Sequence, residues 1–219
     1  MDRARVALLA VCALLTTTIE PFDWTDEAPT SSNREIAAAP NAEVSPASAP
    51  LSEKGNPEIV EQILSRFSMR HTALPERERL ALVHTILEEA RAQNLDPNLV
   101  VAVIEVESAG YHLAISHVGA MGLMQLLPST GKELAEKMGI EWKGPDTLFD
   151  PTINVKLGTA YLRQLADRFG SVSTALAAYN WGPGRINRRL RRGAGVPSLY
   201  IEQVMRAVDR NAMAAVSRS

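Results

Sequence analysis

Two acids, Glu105 and Glu107, interrupt an otherwise apolar stretch that begins at Leu99. Two residues apart on a helix, their side chains diverge by about 200°, so they cannot share one site as an acid/base pair. Glu107 stands in Ile104-Glu105-Val106-Glu107-Ser108-Ala109-Gly110, where the helix should give way to a glycine-containing loop. A carboxylate there faces the negative end of the helix dipole and loses water to apolar neighbours. Both effects raise its pKa above the free value of about 4.3. A carboxyl held protonated near neutrality suits a general acid. Taken without context, the same residue would be an ordinary exposed helix terminus.

The context lies downstream, in Ser116-His117-Val118-Gly119-Ala120-Met121-Gly122-Leu123-Met124-Gln125 and in Ala178-Tyr179-Asn180-Trp181-Gly182-Pro183-Gly184. Gln125 is set among leucines and Asn180 beside a tryptophan. Each offers a donor and an acceptor, and these need partners if buried. Tyr179 and Tyr200 add flat apolar faces with polar tips. Gly119 and Gly122 allow a tight turn or a close backbone approach. His112 and His117 read as loop surface. One cysteine, Cys12, and four histidines leave no basis for a thiolate or zinc site, so neither metal nor cofactor is expected.

These residues need a helical frame. From Glu58 onward apolar residues recur at helical spacing, breakers fall at segment ends, and no alternating strand of useful length appears. The pattern predicts an all-α domain. Ile59, Ile63 and Phe67 mark one helix; Leu80, Val83, Leu87 and Ala90 mark a second after Pro75. Asp96-Pro97, an N-cap followed by proline, opens a helix through Val106 that is apolar nearly all round and should be the buried centre. Asp150-Pro151 repeats the cap and opens a long helix closed by Gly170. Ser171 to Tyr179 forms an Ala-rich helix that Gly182-Pro183-Gly184 should stop, and Pro197 starts a last one through roughly Val208.

Four ordered motifs now stand together: Glu107-Ser108; Ser116 followed by Gly119-Ala120-x-Gly122-Leu123-Met124-Gln125; Ala178-Tyr179-Asn180 followed by Gly182-Pro183-Gly184; and Tyr200 within Val196-Pro197-Ser198-Leu199-Tyr200. In these the chain, from about Pro97 to Met205, resembles the soluble Slt-type lytic transglycosylases, bacterial enzymes that cleave peptidoglycan. The resemblance implies a goose-type lysozyme-like helical domain with a substrate groove. It also implies that Glu107 is the single catalytic acid/base, that Ser116 sits near the reacting sugar, and that Met124, Gln125, Tyr179, Asn180 and Tyr200 line the cleft. The implied reaction cleaves the β-1,4 bond between N-acetylmuramic acid and N-acetylglucosamine without water and leaves a 1,6-anhydromuramyl end.

Composition bounds the rest. The chain has 219 residues, 46% hydrophobic and 22% charged, with net charge −2, so no global basic field draws it to nucleic acid. Residues 1–57 hold 8 acids and 4 bases, which leaves 17 acids and 19 bases for the mildly basic remainder. Arg185, Arg188, Arg189, Arg191 and Arg192 form its one dense basic stretch. This is either a solvated helix face or a surface attracted to wall carboxylates or an anionic partner.

Arg3 and Arg5 precede an apolar run from Val6 to Leu15, shorter than a membrane span, so residues 1–19 read as a secretory leader, with a membrane tether through residues 6–18 as the alternative. Residues 20–56, rich in Ala, Pro and Ser, read as a disordered linker, and residues 57–215 as the catalytic domain. Export to the periplasm or cell envelope follows. Three rivals to the main reading remain: a water-using muramidase with Glu105 or Asp146 as second carboxylate, a non-catalytic glycan-binding scaffold, and a version dedicated to a secretion-system or other envelope assembly.

Overall fold

The computed structural model describes residues 57–216, and the leader and linker expected over 1–19 and 20–56 lie outside them. Nine α-helices and one 3-10 helix succeed one another among the described residues. In chain order they are α1 (Pro57–Arg66), α2 (Met69–Thr72), α3 (Glu76–Ala92), α4 (Pro97–Ser108), α5 (Pro128–Lys137), a 3-10 helix (Pro145–Phe149), α6 (Pro151–Phe169), α7 (Val172–Trp181), α8 (Pro183–Arg191) and α9 (Leu199–Val216).

Local chemistry sets most of the boundaries. The Asp96 carboxylate accepts from the Asn98 amide at 2.8 Å to open α4, Asp150 accepts from Ile153 at 2.9 Å to open α6, and the Ser171 hydroxyl accepts from Thr174 to open α7. Gly170, left-handed at φ 66°, closes α6 as expected. As expected, Gly182 ends α7; Pro183, with its φ suited to a first helical turn and no amide to lose, then opens α8, which carries Gly184 inside it. One expectation is corrected. The last helix begins at Leu199, two residues beyond Pro197. In addition, Pro128 opens α5, for which the periodicity gave no separate signal.

Helix α4 is the buried centre. Val100, Val101, Ala102, Val103 and Ile104 are each at most 1% exposed, because α3 packs on one side of the helix and α9 along another. Each of these valines and Ile104 contributes roughly 1.5–3 kcal/mol by leaving water. Beside this main core lies a smaller one, built from Met121, Leu126, Leu134, Leu148 and Leu157. The segment between α4 and α5 straddles both: Leu123 and Met124 enter the main core, Met121 and Leu126 the smaller one. A loop anchored in two cores has little freedom left, and the Ser108 hydroxyl at the end of α4 reaches its Leu123 carbonyl.

Candidate active site

Glu107 occupies the last turn of α4 and is part-buried. The Tyr200 hydroxyl, from the first turn of α9, donates to its Oε1 at 2.5 Å. Burial pushes the Glu107 carboxyl up to about 7, and the Tyr200 hydrogen bond, which favours the charged form, pulls the other way. Desolvation is the larger influence, so the group is poised between acid and base at neutral pH.

The neighbouring residues hold that turn in place. Ser108 is 3% exposed, and its hydroxyl lies 3.1 Å from the Ile104 carbonyl and 2.8 Å from the Leu123 carbonyl while accepting from the Gly110 amide. It therefore ties the end of α4 to the loop. Ala109 and Gly110 then turn the chain through the left-handed region, at φ 53° and 82°. Beneath Gly110 lies the Phe67 ring, which a Cβ at that position would meet at 3.2 Å. His112 is not loop surface as expected: its Nδ1 sits 2.6 Å from the Thr72 carbonyl.

The loop from Ser116 to Leu126 is braced from within. The Ser116 hydroxyl accepts from the Ala120 amide at 3.0 Å, and single antiparallel bridges join Ile115 to Met121 and Met121 to Leu126. Gln125 is left-handed at φ 49°, a costly conformation for a residue with a Cβ. Its own Nε2 offsets that by donating to the Gly122 and Ala114 carbonyls at 2.9 and 3.1 Å. From below, fully buried Asn154 of α6 accepts from the Met124 amide at 2.7 Å and donates to the Met121 and Leu148 carbonyls at 3.0 and 2.9 Å. Gly122 lies so close to it that a Cβ would stand 2.2 Å from both Asn154 Nδ2 and the Leu148 carbonyl.

The structure thus sorts the expected site residues. Glu107 and Tyr200 meet directly. Tyr200 is 5% exposed, so it holds the carboxylate rather than presenting a face to a cleft. Met124 is corrected outright: its side chain is fully buried against Gly158 and Thr159, and only its backbone serves the site. The Met124 carbonyl accepts the Tyr179 hydroxyl at 2.7 Å, which locks α7 to the loop. Tyr179 also feels the Glu107 charge, and burial first and that charge second hold its phenol well above 10, hence neutral. Its ring packs on Tyr161 at 5.4 Å. Asn180 is part-buried at the end of α7, and Ser116 and Gln125 are part-buried on the loop.

Asn154 was missed by sequence reasoning, although a signal existed: an asparagine four residues after the Asp150 cap, inside an apolar stripe, needs buried partners. Glu105 faces away from Glu107, as the spacing requires. Its carboxylate binds Arg66 at 2.6 Å, with Arg210 at 3.9 Å. Asp146, the other nominee for a second carboxylate, is exposed in the first turn of the 3-10 helix. Among the described residues, no group of three or more His, Cys, Asp or Glu side chains is placed to hold a metal ion, and no helix is long and apolar enough to cross a membrane.

Comparison with known proteins supplies the remaining finding. The family model of the transglycosylase SLT domain matches residues 84–197. The chain is 45% identical over 103 residues to the transglycosylase of Enterobacteria phage PRD1, across 47% of this chain and 36% of that one. It is 36% identical over 124 residues to the soluble lytic murein transglycosylase of Salmonella typhimurium, across 56% of this chain and 19% of that one. The X-ray structure of an inactive mutant of lytic transglycosylase Slt from Pseudomonas aeruginosa superposes with a TM-score of 0.50 at 34% identity, covering 68% of this chain and 23% of that chain. The chain therefore spans only a minor part of the length of each relative.

Proposed function

The chain belongs to the transglycosylase SLT domain family, and from that premise we propose that it cleaves peptidoglycan glycan strands as a lytic transglycosylase with Glu107 as its one acid/base. The observation that carries this is a lone, part-buried carboxyl tuned to about 7 and held at one oxygen by Tyr200. Glu105, the acid nearest in sequence, is occupied by arginines on the other side of α4.

Glycoside cleavage ordinarily uses two carboxylates, one to protonate the leaving oxygen and one to act as nucleophile or to activate water. With one, the substrate supplies the nucleophile. Tyr200 donates to Oε1, so the acid proton resides on Oε2. Glu107 gives that proton to the glycosidic oxygen as the bond to the muramyl anomeric carbon breaks, and the N-acetyl group assists at that carbon. The resulting carboxylate then takes the proton of the muramyl C6 hydroxyl while its oxygen bonds to the anomeric carbon. The enzyme returns to its starting protonation, no water is consumed, and a 1,6-anhydromuramyl end results. A pKa near 7 serves both halves, since neither proton transfer is strongly uphill.

Positioning decides the outcome, because water competes with the C6 hydroxyl. The doubly anchored loop, the Gln125 amide, Asn180 and the Tyr179 ring are the groups we assign to holding the sugar. The apolar run within residues 6–18 supports export to the periplasm or cell envelope, where this polymer lies. The test is mass spectrometry of muropeptides released from peptidoglycan by the full chain and by its Glu107→Gln variant. Fragments lighter by one water than hydrolysis products, absent with the variant, are expected. Full-weight reducing ends would overturn the non-hydrolytic mechanism. Asn180→Ala should slow turnover, and unchanged turnover would remove Asn180 from the sugar site.

A further inference from the structure

The arginines of α8 set it apart from α5, α6 and α9. Along α5, α6 and α9 the exposed charges pair four residues apart: Lys132 with Glu136, Lys137 with Glu133, Arg163 with Asp167, Arg206 with Glu202. On α8 the rule is reversed. Arg185, Arg188, Arg189 and Arg192 fall at i, i+3, i+4 and i+7, which aligns them in one stripe with Arg191 at its edge, and all five are exposed. Like charges at this spacing destabilise a helix. No acid offsets them: from residue 168 to residue 201 the chain contains none. Among the described residues none of the five has an ion pair; Arg189 Nε donates to the Gly195 carbonyl, and Arg185 lies 5.4 Å over the Trp181 ring.

This acid-free stretch is also the one that carries one side of the candidate site. It starts before Tyr179 and Asn180, passes through α8, and ends past Tyr200. We propose that the α8 stripe is an electrostatic docking surface for the carboxylate-bearing peptide branches of the same glycan whose backbone Glu107 cleaves. This rests on the proposed peptidoglycan substrate. The backbone is met by amides and aromatic rings, while the branches carry the anionic charge that five guanidinium groups without an ion pair among the described residues recognise as carboxylate. An anionic membrane fits less well. An interfacial helix needs an apolar face free to insert, but Ile186 of α8 is buried in the core, and among the described residues of α8 only Leu190 is an exposed large apolar side chain.

The test uses Glu107→Gln protein, so that binding is read without cleavage, with and without Arg188→Gln, Arg191→Gln and Arg192→Gln together. Both are pelleted with intact peptidoglycan sacculi, with sacculi whose carboxylates have been converted to neutral amides by carbodiimide coupling to ammonia, and with phosphatidylglycerol vesicles, at low and at physiological salt. Loss of three exposed charge contacts should weaken sacculus binding about tenfold and flatten its salt dependence, while binding to the amidated sacculi stays equal. That equality also shows the triple variant is folded. Equal sacculus binding by the two proteins overturns the proposal, as does an arginine effect confined to vesicles. Because the readout is binding, absence of anhydro fragments from the active chain would refute the reaction proposed above without altering this result.

Discussion

Tyr200→Phe removes the hydroxyl that donates to Glu107. The substitution keeps the ring that fills the space at the start of α9 and removes only the hydroxyl, whose donation to Oε1 at 2.5 Å stabilises the charged carboxylate. Net, a hydrogen bond to a charged group is worth about 1.5–3 kcal/mol. A pKa moves by one for each 1.36 kcal/mol of differential stabilisation. Glu107 starts at about 7 with Tyr200 in place. Its loss leaves desolvation unopposed, so the carboxyl becomes a weaker acid. The first half-reaction needs Glu107 protonated, hence wild-type activity should fall as pH rises through about 7, and in Tyr200→Phe that alkaline limb should move upward by about one to two pH units. The assay is initial release of soluble muropeptides from sacculi across the neutral range. The ratio of activity above the wild-type limb to activity below it should rise even as absolute turnover drops. Damage to packing alone would lower the amplitude and leave the limb where it was. A limb that stays put, or that moves down, refutes the assignment of Tyr200 as the donor that tunes this carboxyl.

The raised Glu107 pKa also carries a stability signature. Between the ordinary 4.5 and about 7 the folded chain holds a proton that the unfolded chain releases, so the contribution is fully present at low pH and lost as pH rises through 7, by about 3 kcal/mol in all. Glu107→Gln lacks this titration and should gain on wild type by that amount between about pH 4 and about pH 8 in urea melts, and parallel curves would contradict it. Asn154→Ala strands the Met124 amide and two carbonyls at the centre of the loop, and should cost roughly 2–4 kcal/mol together with most of the activity; a full-activity variant would show the loop does not depend on it. Gly122→Ala meets backbone and side chain at 2.2 Å in a left-handed conformation, and should yield little folded protein by circular dichroism. Glu105→Gln breaks a part-buried pair with Arg66 and should lower stability by about 1 kcal/mol while the pH profile of cleavage stays unchanged; a shifted profile would mean the two glutamates are coupled.

What the sequence by itself determined is local. The Asp-Pro caps, the apolar runs and the closing glycine placed α4, α6 and α7 because capping and periodicity act within a few residues, whatever the rest of the chain does. The same logic separated Glu105 from Glu107, since helix geometry alone turns them apart. Glu107 stood out as the candidate acid from its place at the end of a buried helix together with the motifs downstream of it. What tertiary structure decided is which distant residue touches which. Tyr200 lies 93 residues from Glu107 in the chain, and only the packing of α9 along α4 brings its hydroxyl to the carboxylate, turning an expected cleft-lining ring into a proton-tuning donor. Met124 moved from expected contact to core because Gly158, 34 residues on, leaves a socket that only the thioether fills. Asn154 became the keystone of the loop because three backbone groups, stripped of water between two cores, converge on one amide. Burial and long-range hydrogen bonding are properties of the assembled chain, and no spacing in the sequence encodes them.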